Sequence, residues 1–158
     1  METCTIHTPI GFLEITGNSE GLSSVIFSDI ENENSSQNIP EPLKIAVFQL
    51  QEYFDGNRTE FTLALNPKGT DFQKRVWEEL EKIPYGKTVN YLEIAKQLGH
   101  PKVIRAAASA NGKNPISIII PCHRVIGSDG SLTGYAGGLH RKKWLLEHEN
   151  PSPQQSLF

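Results

Sequence analysis

The periodicity of the chain changes at Asn66-Pro67-Lys68-Gly69, and a single uniform architecture cannot serve both sides of that change. Before it, apolar residues recur at every second position, the period of a strand with one face buried. Residues 3–8 alternate weakly. Residues 11–16 alternate better, with Leu13 and Ile15 on one face and Phe12 and Glu14 on the other. Asn18-Ser19-Glu20-Gly21 signals a turn, and residues 22–27 resume a strand. These segments predict a small antiparallel meander. Residues 29–42 are polar and acidic and carry Pro40 and Pro42, so they read as a surface loop. Leu43, Val47, Leu50 and Phe54 then recur at helical spacing up to Asp55-Gly56-Asn57, and Phe61, Leu63 and Leu65 alternate as one more short strand.

Beyond Gly69 the period becomes helical. Thr70 or Asp71 can cap a helix with Phe72, Val76, Leu80 and Ile83 on its apolar face and Trp77 beside them. Pro84-Tyr85-Gly86 breaks it. Thr88 or Asn90 caps a second helix with Tyr91, Ile94, Ala95 and Leu98, closed by Gly99. Pro101 opens a third that runs to about Asn111-Gly112. Two short helices joined by Gly99-His100 have the layout of a helix-turn-helix. A last amphipathic helix near residues 140–149 carries Trp144, Leu145 and His148. The fold class expected is α+β. An N-terminal domain (residues 1–66) and a linker (67–69) precede a mostly helical domain (70–149), and residues 150–158 read as a disordered tail.

Between the third helix and a glycine-rich loop at residues 127–138 lies Ile118-Ile119-Ile120-Pro121-Cys122-His123-Arg124-Val125. The isoleucine run reads as a buried strand ended by proline, which cannot donate to a ladder. Cys122 is then offered at a strand end beside an imidazole. A free thiol has a pKa near 8.5, and only its thiolate is a good nucleophile, so a neighbour must lower that value or take the proton. Adjacent side chains of an extended segment face opposite ways, so a Cys–His contact needs a turn or a bridging water. An inert buried thiol beside a satisfied histidine is the plainer alternative. The third helix has its own peculiarity: Arg105-Ala106-Ala107-Ala108-Ser109-Ala110 presents small side chains. These suit tight packing on another helix, or entry into a minor groove about 6 Å wide.

The two cysteines, Cys4 and Cys122, are too few for a disulfide framework. No apolar run approaches the roughly 20 residues of a membrane span. Met1-Glu2-Thr3-Cys4-Thr5 lacks the basic start of a signal peptide, and the expectation is a cytoplasmic protein, nucleoid-associated if bacterial. The net charge of −3 conceals an asymmetry. Residues 1–70 hold three basic and ten acidic side chains, net −7, and residues 71–158 twelve and eight, net +4. A basic second half suits a polyanionic partner, although two solvated surfaces of opposite sign explain it too.

The segment Asn114-Pro115-Ile116-Ser117 through Val125 closely resembles the active-site motif of the O6-alkylguanine-DNA alkyltransferases, also called methylated-DNA–protein-cysteine methyltransferases. The resemblance extends over residues 72–149 and includes Gly86-Lys87-Thr88-Val89-Asn90-Tyr91, Gly134-Tyr135-Ala136-Gly137-Gly138-Leu139 and Trp144-Leu145-Leu146. The first 70 residues match only in length and in their β-then-helix pattern. The fold it implies is a ribonuclease H-like N-terminal domain followed by a domain with a winged-helix-like helix-turn-helix.

The resemblance also implies a set of roles. Cys122 accepts the alkyl group in one irreversible displacement. His123 takes the thiol proton through a water, Glu149 orients His123, and Asn114 buttresses the turn. Tyr91 protonates the leaving base. Arg105 enters the duplex in place of a flipped nucleotide, with Ala106, Ala107, Ser109, Tyr91 and Arg124 also on the DNA side. The Val125 carbonyl and the backbone of Tyr135, Ala136 and Gly137 read the flipped base. Ala136 stands where some relatives have serine, which removes one side-chain hydrogen bond to the base. The partner implied is double-stranded DNA carrying O6-alkylguanine, with O4-alkylthymine as a second substrate. No cofactor and no metal are implied: Cys4 has no second cysteine near it to form the zinc site of some relatives. The protein is expected to be a monomer in solution, with cooperative assembly on DNA left open. Without the resemblance, Glu149 could be a surface carboxylate, Tyr91 plain core and Arg105 an ion-pair partner, and Arg124 reads more as a residue that holds structure than as one that contacts the lesion. His100, His140 and His148 read as surface or packing residues. A silent lesion-binding relative, a cysteine hydrolase and a transcription regulator are the competing functions. Cys122 argues against the first, and a regulator needs neither Cys122 nor Tyr91.

Overall fold

The computed structural model describes residues 1–30 and 38–151. Residues 31–37 of the loop expected at residues 29–42, and residues 152–158 of the expected tail, lie outside the described residues. The chain forms two compact units. One comprises residues 1–68 together with 115–117, and the other the remainder.

In the first unit, β1 (Glu2–Thr8), β2 (Gly11–Asn18) and β3 (Gly21–Ser28) form an antiparallel sheet in chain order. The register pairs Cys4 with Ile15 and Ile15 with Val25, so one face collects the apolar set. Cys4, Leu13, Ile15 and Val25 are fully buried there. Helix α1 (Lys44–Phe54) contributes Ala46, Val47, Leu50 and Tyr53 to this core, after a 3-10 turn that buries Leu43.

Residues 61–65 form no regular strand. The Gln49 side chain takes the place of a strand partner: its amide donates to the Thr62 carbonyl and hydroxyl, and the Thr62 N–H donates to Gln49 Oε1 at 3.0 Å. Only a single bridge joins this segment to β3, where Leu22 N–H donates to the Ala64 carbonyl and Asn66 N–H to that of Leu22. Gly21 sits at the crowded start of β3 with φ +142°, and a Cβ there would lie 2.8 Å from the Ala64 carbonyl oxygen. Farther along β3, Val25 exchanges backbone hydrogen bonds with Pro115 and Ser117.

The second unit begins with α2 (Asp71–Glu81), whose cap is Thr70. Its hydroxyl accepts from Gln73 N–H at 3.0 Å, and Gln73 Oε1 accepts from Thr70 N–H at 2.9 Å. This reciprocal pair satisfies two donors that every helix start leaves open. Two-residue β4 (Val89–Asn90) leads into α3 (Tyr91–Gln97), capped by the Asn90 side chain. Gly99 (φ +103°) turns the chain, a 3-10 turn over Pro101–Val103 follows, and α4 (Ile104–Gly112) completes the helix-turn-helix. Helices α2, α3 and α4 pack on one another. The buried Trp77 of α2 donates its indole N–H to the Ala110 carbonyl at 2.9 Å, so the largest side chain of this core is also hydrogen-bonded. Two-residue β5 (Val125–Ile126) pairs in parallel with β4, and α5 (Leu139–Glu149) closes the unit. No helix among the described residues is long and apolar enough to cross a membrane.

Candidate active site

The isoleucine run that precedes the thiol is buried, as an apolar run should be, but it is not a strand. Residues 117–120 form a turn in which Ile118 has φ +72°. A β-branched residue in the left-handed region is strained by about 1–3 kcal/mol. Burying its side chain, which is 1% exposed, gains roughly 1.5–3 kcal/mol and offsets that strain. Apolar run length alone cannot distinguish a buried strand from a buried turn. Cys122, His123 and Arg124 then form one turn of 3-10 helix, with Cys122 N–H donating to the Ile120 carbonyl and Arg124 N–H to that of Pro121. Asn114 fastens this turn: its Nδ2 donates to the Ile120 carbonyl at 2.8 Å, and its side chain also hydrogen-bonds Cys122.

The Cys122 thiol is 4% exposed, and burial pushes its pKa up to about 11. The Asn114 hydrogen bond and the charge of Lys142 pull the other way without winning. At neutral pH the group is therefore a thiol, and a base must take its proton as it reacts. His123 is fully buried. Burial lowers its pKa against the opposing pull of Glu149, so the ring is neutral and able to accept a proton. Its Nε2 and Glu149 Oε2 lie 2.7 Å apart, whereas Nδ1 has no hydrogen-bond partner among the described residues. The imidazole is thus held on one side and open on the other, the arrangement of a base oriented by a third group.

Glu149 ends α5 and is shared by His123 and the Arg124 cation. Arg124 donates from Nε to Oε1 at 2.8 Å and from Nη2 to Oε2 at 3.0 Å. Burial alone would raise the Glu149 pKa, but His123 and Arg124 outweigh it and hold the carboxyl well below the usual range. The remaining Arg124 nitrogen donates to the Ile83 carbonyl at 2.7 Å, and the guanidinium lies over the Tyr85 ring. The sequence leaves Arg124 between the DNA side and a role in holding structure. It is buried, and its guanidinium is engaged inside the protein because Glu149 needs a compensating charge.

An open groove of about 550 Å³ lies between Tyr91 of α3, Ala108 of α4 and the loop residues Thr133, Gly134, Tyr135 and Ala136. Cys122 is not among its lining residues. Thr133 Oγ1 donates to the Tyr91 hydroxyl at 3.2 Å. On α4, Arg105, Ala106 and Ser109 are exposed. Ala107, placed on the DNA side by the resemblance, is 1% exposed and lies in the helix core. The period of 3.6 turns it away from a face that carries 105, 106 and 109. Val125 is buried and paired with Val89, and Gly137 offers its carbonyl to Arg141 at 3.1 Å.

Lys142 is the residue that sequence reasoning missed. It is fully buried, its Nζ donates to the Thr133 carbonyl at 2.6 Å, and burial lowers its pKa to about 8. The signal was present: Lys142, Leu145, Leu146 and Glu149 recur at three- and four-residue spacing, and this stripe is the buried face of α5. Trp144 and His148 of the same helix stack on each other at 4.8 Å, half-buried. Among the described residues no group of three or more His, Cys, Asp or Glu side chains is placed to hold a metal ion.

Comparison with known proteins gives the following. Residues 71–151 match the model of the 6-O-methylguanine DNA methyltransferase DNA-binding domain, and residues 3–67 that of the ribonuclease-like domain of 6-O-methylguanine DNA methyltransferase. A methylated-DNA–protein-cysteine methyltransferase of Mycobacterium tuberculosis is 50% identical over 148 residues, covering 92% of this chain and 90% of the relative. The protein of that name from Methanosarcina acetivorans is 49% identical, covering 90% and 94%. Among solved structures, the O6-methylguanine methyltransferase of M. tuberculosis superposes with a TM-score of 0.83 at 47% identity, covering 96% of this chain and 94% of that one. M. tuberculosis OGT in complex with DNA gives 0.84 at 46% identity, covering 98% and 97%.

Proposed function

The chain belongs to the 6-O-methylguanine DNA methyltransferase family of DNA-binding repair methyltransferases, and from that premise we propose that Cys122 takes the alkyl group from O6-alkylguanine in duplex DNA once and irreversibly. The observation that carries this reading is the buried neutral His123, fixed at Nε2 by Glu149 and open at Nδ1, one residue from a thiol whose proton must be removed. His123 accepts that proton through a water. The sulfur attacks the alkyl carbon, the S–C bond forms as the C–O bond breaks, and the electron pair passes to the base. Tyr91 supplies a proton to the departing base, which leaves as neutral guanine. A thioether is a poor leaving group, and nothing in the site regenerates the thiol.

The target atom is buried in a base stack, so the nucleotide leaves the duplex at a cost of a few kcal/mol. Arg105, exposed near the start of α4, fills the space it leaves. Ala106 and Ser109 keep that face of α4 low enough for the minor groove. The open groove beside Tyr91 and Tyr135 receives the base, and the family resemblance assigns the reading of its edge to the Val125 carbonyl and the backbone of residues 135–137. O4-alkylthymine carries the same kind of alkyl–oxygen bond on a smaller base, and the family resemblance makes it the second substrate. Titrating a methylated duplex against limiting protein tests the single-use character. Repaired lesions level off at one per protein molecule, and continued turnover overturns the proposal.

A further inference from the structure

Two hydrogen bonds converge on one residue of the glycine-rich loop. The Thr133 carbonyl accepts from the buried ammonium of Lys142 at 2.6 Å, and the Thr133 hydroxyl donates to the Tyr91 phenol oxygen at 3.2 Å. We propose that Thr133 is a positioning residue for proton delivery: anchored by Lys142, it fixes the Tyr91 hydroxyl so that its hydrogen points at the departing base. This rests on the reading of Tyr91 as proton donor.

The reasoning starts from what a phenol can do. Its oxygen carries one hydrogen and accepts at its lone pairs. A hydroxyl free to rotate aims its hydrogen at any acceptor within reach, including the Thr133 oxygen itself. When Thr133 donates, the phenol oxygen is the acceptor of that bond, and its own hydrogen is directed elsewhere. Tyr91 and Thr133 both line the open groove, so that hydrogen is available to a base lying there. The bond also strengthens as the phenol gives up its proton, because the accepting oxygen gains negative charge.

The donor must itself be held, and hydrogen bonds tie the loop on either side of it. Gly127 N–H donates to the Ser131 carbonyl at 2.8 Å, the Asp129 carboxylate accepts from Ser131 N–H at 3.0 Å, and Gly138 N–H donates to the Tyr135 carbonyl at 2.9 Å. Lys142 adds a charge-assisted bond from a regular helix, so the Thr133 backbone is fixed to α5. A buried lysine with one short bond to a loop carbonyl is costly to retain for packing alone. Its position is accounted for if residue 133 must not move.

The test compares Thr133→Val, which keeps the shape and loses the hydroxyl, with Thr133→Ser, which keeps the hydroxyl. Each is made in the wild-type and the Tyr91→Phe background. Two reactions of Cys122 are followed: transfer from an O6-methylguanine duplex, and alkylation by iodoacetamide. In the second the S–C bond forms as iodide leaves with its electron pair and needs no proton. Thr133→Val should slow transfer about tenfold, the scale of one hydrogen bond. Thr133→Ser should stay within about twofold of wild type, and Thr133→Val should add nothing further in Tyr91→Phe. Iodoacetamide alkylation should be unchanged throughout. The proposal fails if Thr133→Val transfers at the wild-type rate while Tyr91→Phe is slow, if its effect is undiminished in Tyr91→Phe, or if both reactions slow equally. A Tyr91→Phe protein that transfers normally removes the proton-donor reading itself, and this proposal with it.

Discussion

Glu149→Gln tests the site where His123 and Arg124 depend on one carboxylate. In the native protein that carboxylate accepts from Arg124 at 2.8 and 3.0 Å and meets His123 Nε2 at 2.7 Å, with its side chain 1% exposed. Glutamine keeps one acceptor oxygen and turns an NH2 toward a donor, while the Arg124 charge stays buried without its counter-ion. Hydrogen bonds to charged groups contribute about 1.5–3 kcal/mol each, and removing one partner of a buried ion pair costs about 3–5 kcal/mol. The expected loss at neutral pH is therefore about 3–5 kcal/mol, or a drop in Tm of roughly 6–20 °C at ~2–4 °C per kcal/mol. The pH dependence adds a second constraint. Because the folded carboxyl titrates well below its ordinary value of 4.5, its contribution is complete above that value and is lost as pH falls below it. The gap between wild type and Glu149→Gln should be constant from neutrality down to about pH 5 and narrow in more acidic solution. Urea unfolding across that range measures it. A neutral-pH loss below about 1 kcal/mol, or a gap that ignores acid, would refute the reasoning.

Two further expectations concern the reaction. Arg105→Ala should slow repair of a duplex by about tenfold or more while leaving reaction with free O6-benzylguanine nearly unchanged, because only the duplex needs a nucleotide extruded. Paired stopped-flow measurements decide this, and equal slowing of both substrates removes the flipping role. His123 must be neutral to accept a proton, and burial holds its pKa below the ordinary 6.5. The acid limb of the transfer rate should accordingly lie below pH 6.5, with the rate rising toward alkaline pH as the thiol, displaced to about 11, ionises more readily. An acid midpoint at or above 6.5 in a rate–pH profile contradicts a buried neutral base.

Much of the framework was legible because local chemistry dictates it. Thr70 and Asn90, each one of two cap candidates in the sequence, cap α2 and α3, and Gly99 makes the turn after α3. The failures have a common cause, which is that tertiary partners substituted for regular structure. Residues 61–65 alternate like a strand, yet Gln49 supplies their hydrogen bonds. Ile118-Ile119-Ile120 has strand composition, yet its burial is achieved in a turn that the sequence disfavours at Ile118. In the site, the nearness of Asn114, Cys122, His123 and Glu149 was expected only from the family resemblance, since no periodicity joins residues 26 positions apart. Arg124 and Lys142 are charged, and charged side chains are assigned to surfaces by default. Their burial follows from Glu149 and from the Thr133 carbonyl, neither of which can be located from sequence spacing alone.

The central claim is that Cys122 is consumed by a single alkyl transfer, and intact-mass measurement with peptide mapping tests it most directly. The protein is incubated with excess duplex carrying O6-methylguanine. The account predicts that every molecule gains one methyl group in place of the thiol hydrogen, carried on the peptide containing Cys122, and that Cys122→Ala gains none while still binding the lesion. Repair of the duplex with the protein mass unchanged, or a methyl group found on any other residue, would contradict it.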